Sequence, residues 1–162
     1  MSDNERWLLR SPEEIARHTF ETFAETFSVK LAEIVEMTKP SPVIAEGFAF
    51  TPKLVAPLIS SVHQAIWLIP TEEFKRDSFQ RRGKENYRVR DGSSDPIAAT
   101  ENFIARDLLM ASQMRRDADA KGLKVLEIDG SLSPDVVASS VETHFAPYLA
   151  TIQERSLIWA DK

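Results

Sequence analysis

Ala65-Ile66-Trp67-Leu68-Ile69, ending at Pro70-Thr71 and running on into Glu72-Glu73-Phe74-Lys75-Arg76, is the stretch that decides the fold. A short run of bulky apolar residues with no polar alternation predicts a strand covered on both faces, as in a parallel sheet. Pro70 cannot donate to a ladder, and Thr71 has a hydroxyl placed to cap the residues behind it. A helix from Glu72 to Arg82 follows, with Gly83 as its stop. The same grammar recurs downstream, where Lys124-Val125-Leu126-Glu127-Ile128 runs into Asp129-Gly130-Ser131 and Ser133-Pro134 opens another helix. Upstream, Val43-Ile44-Ala45 ending in Glu46-Gly47 has a similar apolar content. Strands separated by helices cannot be joined by hairpins, so the pattern predicts an α/β fold. The expected form is a three-layer αβα arrangement around a small parallel sheet of about three strands.

The helical segments carry their own signals. From Ser11 to Met37, Ala16, Phe20, Phe23, Phe27, Leu31 and Ile34 recur at three- and four-residue spacing, which is one apolar stripe of a helix. Ser11, Pro12 and Glu14 supply the cap, the first helical position and the capping-box carboxylate, and Lys39-Pro40-Ser41-Pro42 ends the run. Thr51-Pro52 opens a short helix to about Ile59. Asp95-Pro96 opens a long one to about Lys121, with Ile104, Leu108, Ala111 and Ala118 on one side and Gly122 as terminator. The last helix is expected to run to about Leu149, with the tail beyond it continuing or fraying.

A chain of 162 residues with 43% hydrophobic content predicts one domain with a core. Within 1–162 the expected parts are an amino-terminal helix over 11–37, two strands within 42–70, lid-like helices and a basic loop over 71–121, and the last strand and helix over 123–150. The chain has no cysteine, so disulfides and thiolate chemistry are excluded, in keeping with a cytoplasmic setting. No run approaches the roughly 18 apolar residues of a membrane span, and residues 1–10 carry Asp3 and Glu5 rather than a signal or an anchor. Net charge is −5, which argues against nucleic acid as a partner. The basic residues are nevertheless concentrated: Lys75, Arg76, Arg81, Arg82, Lys84, Arg88 and Arg90 face only Asp77, Glu85 and Asp91 over residues 75–91. This island of +4 in a chain otherwise carrying −9 suits a compact anion such as a nucleotide or phosphorylated small molecule, or else is a solvated charged loop.

Three stretches taken in order, Val43 to Gly47, Ile66 to Phe74 with its arginines, and Leu123 to Gly130, resemble the later strands of small-molecule kinases of the P-loop superfamily. The resemblance covers roughly Pro42 to Leu149. It implies a nucleotide-dependent phosphotransferase acting on a small molecule, with ATP and Mg2+ as cofactors. Under it, Glu46 becomes the catalytic acid that contacts magnesium through water or takes the acceptor proton. Arg76, Arg81, Arg82 and Arg106 become a phosphate-clamping lid, and Asp129, Gly130 and Ser131 edge the adenine pocket. One departure is decisive. The five glycines stand at 47, 83, 92, 122 and 130; the only Gly-Lys pair, Gly83-Lys84, lacks the earlier glycine and is followed by Glu85. No Walker A loop exists in this chain. The kinase-like core is therefore incomplete and expected to be inactive alone, or the chain is a catalytically silent module that binds an anion or a partner chain. In the sheet order of such kinases the absent strand lies between those at Val43 and Ala65. Marginal stability, or a partner chain or second copy that completes the sheet, is the corollary.

Each candidate also has a plainer reading. Glu46 can cap a turn, Arg76 can pair with Glu72 or Glu73 on a solvated helix, and Asp129-Gly130-Ser131 can be a capped turn. His18, His63 and His144 have no second histidine at metal-binding spacing, so no metal site is expected. No Gly-x-Ser-x-Gly elbow supports a hydrolase.

Overall fold

The structure, a computed structural model, describes residues 2–37, 43–83 and 92–160, with side chains described as far as residue 150. In chain order the elements are α1 (Asp3–Trp7), α2 (Pro12–Met37), α3 (Pro52–Val55) continued by a 3-10 turn (Ala56–Leu58), a second 3-10 turn (Val62–Gln64), β1 (Ile66–Pro70), α4 (Glu72–Arg81), α5 (Pro96–Asp119), β2 (Lys124–Ile128) and α6 (Pro134–Ala160). The chain is a helix-rich α/β protein built on a two-stranded parallel sheet.

Local chemistry accounts for most of the boundaries. Ser11 Oγ accepts from Glu14 N at 3.2 Å while Glu14 Oε2 accepts from Ser11 N at 3.0 Å, which closes the capping box of α2. Thr71 Oγ1 accepts from Phe74 N and Asp95 Oδ1 from Ala98 N, so α4 and α5 begin where their caps stand. Gly122, at φ +63°, turns the chain out of α5, and Leu123 N donates back to Ala118 O at 2.9 Å. Helix α1 lies where no element was expected. Five residues are too few to show a period, and its only sequence signal is the Ser2–Glu5 capping box.

β1 and β2 pair directly, Trp67 beside Val125 and Leu68 beside Leu126. Alternation sends Trp67, Ile69 and Val125 to one face, where they meet Ala16 of α2 and Met110, Met114 and Ala118 of α5. Ala118 is fully buried; its small side chain lets α5 lie close against the strands. Trp67 keeps its ring in this core because its indole N–H donates to Phe50 O at 2.8 Å. The predicted α2 stripe packs as expected, with Ala16 and Phe27 buried and Phe20, Phe23, Leu31 and Ile34 half-buried. A second core joins Trp7 to Ile15 and Ala99.

Two expectations are corrected. Residues 43–46 form no strand, so the described sheet has two strands rather than three. Ile44 is 83% exposed: an apolar run becomes a strand only when a partner edge lies beside it, and among the described residues none pairs with this one. Among the described residues one face of the sheet is packed in the core, while the other is only partly covered. Ile66, Leu68, Lys124 and Leu126 point the other way, and Leu68 is 47% exposed. Helix α6 flanks this second face but is anchored at the 3-10 turn over 62–64 rather than packed on the strands. It also extends beyond Leu149 to Ala160. The Lys39-Pro40-Ser41-Pro42 stop, and Lys84 to Asp91 of the basic loop, lie outside the described residues.

The face assignment makes a sharp contrast between neighbours in β1. Trp67→Ala should lower the unfolding free energy by about 3–5 kcal/mol and Leu68→Ala by less than about 1 kcal/mol, as read from urea denaturation.

Candidate functional site

The carboxyl ends of β1 and β2 are joined by more than the ladder, since Thr71 N donates to Ile128 O at 2.9 Å. Beyond this point the turn 129–131 stands against α4. A side chain at Gly130 would meet Phe74 Cδ2 at 2.8 Å, and φ there is +85°, so glycine is required by both space and backbone. Arg81 lies over the other contact surface of the Phe74 ring, 5.8 Å from its centroid. Asp129, Gly130, Phe74 and Arg81 are therefore neighbours. Asp129 Oδ1 accepts from Ser131 Oγ at 2.6 Å and from Ser131 N at 2.9 Å. These bonds, the hydroxyl's first, hold the Asp129 carboxyl below its ordinary pKa, and they are the bonds of a closed turn.

The predicted lid arginines divide into two groups. Arg76 donates from Nε to Glu72 at 2.9 Å and from Nη1 to Glu101 of α5 at 2.9 Å, bonds that raise its pKa, Glu101's most. Arg106 is committed elsewhere. Its guanidinium sits 4.7 Å from the Phe103 ring centre and 5.4 Å from that of Trp7, with Nε 2.9 Å from Asp107 Oδ1 but off the hydrogen-bonding direction. Burial pulls its pKa below the ordinary guanidinium value, while Asp107 opposes the shift and Arg6 adds to it. Asp107, with its side chain 9% exposed, also takes Lys75 Nζ on its other oxygen at 2.5 Å. One carboxylate thus holds cations from α4 and α5 against an aromatic wall. Arg81 and Arg82 stay on the exposed side of α4, and Arg82 makes no ion pair with any described residue.

Glu46 stands apart. It is exposed, outside any strand, and makes no hydrogen bond or ion pair with a described residue. The segment that carries it reaches the rest of the molecule through Phe50, whose carbonyl meets Trp67 near the start of β1, while the arginine helix begins after its end. Among the described residues, no group of three or more His, Asp or Glu stands in position to hold a metal ion.

A feature that the sequence did not disclose lies on the open face of the sheet. A groove of ≈ 760 Å³ runs between the strands and α6, lined on one side by Ile66, Lys124 and Leu126 and on the other by Val136, Ser139, Ser140 and Thr143. The four α6 residues share one helical face by their spacing. Ser140 Oγ and Thr143 Oγ1 donate back to the carbonyls of Val136 and Ser139 at 2.9 and 2.8 Å, so that wall asks little of a ligand's polar groups. His63 and His144 close one end, with rings 5.3 Å apart. His63 Nδ1 lies 2.9 Å from His144 O, and His144 Nε2 lies 3.1 and 2.9 Å from the carbonyls of Val62 and Ala65. A carbonyl only accepts, so the proton sits on each of these nitrogens. The pair is a clasp for α6. Its members are 81 residues apart, which leaves no sequence signal for their meeting.

No protein-family model, curated protein or solved structure matches the chain. Its class rests on the fold alone: a helix-rich α/β protein with a two-stranded parallel sheet. Among the described residues no helix is long and apolar enough to cross a membrane.

Two measurements test the site's construction. Asp107→Ala leaves Lys75 and Arg106 half-buried without their shared anion and should cost about 1–3 kcal/mol, whereas Arg76→Ala, at an exposed pair, should cost under about 1 kcal/mol; chemical denaturation separates the two. In an NMR pH titration Asp129 should titrate below an ordinary aspartate. Ser131→Ala should move its midpoint upward, because the hydroxyl bond favours the ionised form.

Proposed function

We propose that the chain is a catalytically silent binding module that works by receiving a partner chain on the open face of its sheet. The observation that carries this reading is the half-covered parallel sheet itself. Parallel strands are ordinarily buried on both faces, and two strands alone are marginal in water. Here Ile66 and Leu126 line a groove whose far wall is α6, and Leu68, on the same strand face, is 47% exposed. Apolar strand surface left beside an open groove favours burial by another chain at about 25 cal/mol per Å2. The full second covering layer that the expected three-layer core needs is, on this reading, supplied on association.

A second reading retains the kinase resemblance and rests on one observation, the convergence of Asp129, Gly130, Phe74 and Arg81 at the carboxyl ends of both strands, where open α/β sheets place their ligands. It asks for ATP and Mg2+ and for a phosphate loop that this chain does not encode. The commitment of Arg76 to Glu72 and Glu101, and of Arg106 to its aromatic sandwich, favours the first reading.

Amide exchange and thermal shift separate them. The binding-module reading expects dilute chain to melt at modest temperature with fast exchange in β1 and β2, and no shift with millimolar Mg-ATP. A sharp, high transition with protected strands at low protein concentration would refute it. A stabilisation that grows with nucleotide would restore the phosphotransferase reading.

A further inference from the structure

We infer that the partner received on the open sheet face is a second copy of this chain, docked isologously about a two-fold axis near Leu126. The inference rests on the binding-module reading and adds to it the occupant.

The groove has a polarity from end to end. Helix α6 leaves the carboxyl end of β2 through residues 129–133, and its His144 touches Ala65, just before β1. It therefore runs back along the face, antiparallel to the strands. Asp135, in its first turn, marks the end of the groove at the strands' carboxyl tips, and Lys124, the first residue of β2, marks the opposite end. Between them lie Ile66, Leu126 and Val136. One end is cationic, the other anionic, and the middle apolar. A two-fold axis across the groove reverses its direction, so it sets Lys124 of each copy against the partner's Asp135 and leaves apolar surface against apolar surface. The chain as a whole carries −5, whereas this face sets one lysine, Lys124, against one aspartate, Asp135. Val136 in the groove wall and Leu68 on the same strand face are each 47% exposed, apolar surface that the matching face of another copy would cover. The Ser140 and Thr143 hydroxyls are already bonded within their helix, so an apolar surface can press on these two without orphaning their donors.

The test is sedimentation across a protein-concentration series with the full chain, its Lys124→Asp and Asp135→Lys variants, and the double swap. Both positions are exposed, and circular dichroism checks that each variant folds. The expected result is a wild-type dimer weakened by salt. Each single reversal should raise the dissociation constant by at least about tenfold, because like charges then face each other twice per dimer, and the double swap should recover it. Leu68→Glu, also on the open face, should give a folded monomer. A wild-type monomer at every concentration overturns the inference, and so does a dimer indifferent to Lys124→Asp, Asp135→Lys and Leu68→Glu. Strand exchange then locates the failure. A monomer with fast-exchanging β1 and β2 leaves the binding-module reading standing with a different partner, and a monomer with protected strands removes both.

Discussion

Everything in this molecule depends on the face of the β1–β2 pair that carries Trp67 and Ile69. On that face α2, α3, α5 and both strands share one core. Ala16 and Ala118, small and buried, let the two long helices close on the strands, and Met110, Met114 and Leu123 fill the space between. The Trp67 indole is tied to Phe50 by its N–H, so the segment before α3 is held by the same residue that centres the core.

The opposite face follows a different rule. A lone two-stranded sheet has a period of two side chains per strand and therefore two faces of equal area, but the described chain has covering helices for one. Helix α6 is long enough to serve as the second cover. It is instead fastened at the His63–His144 clasp and presents Val136, Ser139, Ser140 and Thr143 rather than large apolar residues. A helix face of small and hydroxyl-bearing residues cannot fill the space above Leu68 and Leu126, and a groove results.

The carboxyl ends of the strands tell a more conventional story. There the ion network of Lys75, Asp107 and Arg106 and the Arg76 bridge to Glu101 fasten α4 to α5, and Gly130 lets the turn after β2 come against Phe74. Arginines expected to wait for phosphate are mostly occupied with carboxylates or aromatic rings. Their physical role in the described state is to hold two helices together, and they leave Arg81 and Arg82 as the outward-facing cations of α4.

The sequence by itself determined what depends on near neighbours. The capping pairs Ser11–Glu14, Thr71–Phe74 and Asp95–Ala98, the stop at Gly122, the stripe of α2 and the strand character of 66–70 and 124–128 are all interactions over a few residues, and local chemistry is written in local order. The parallel direction followed from the helices between the strands. Only the tertiary structure decided that Val43-Ile44-Ala45 stays unpaired, that Met110 and Met114 join the core, that Asp107 serves both Lys75 and Arg106, and that His63 meets His144. Each of these is a contact between distant stretches, and its existence depends on which surfaces the folded chain brings within van der Waals or hydrogen-bond reach. Strand formation shows the reason most plainly: Val43 to Ala45 and Ile66 to Ile69 have similar composition, but a strand is a relation between two segments, and β2 had one edge within reach of Ile66 and none beside Val43.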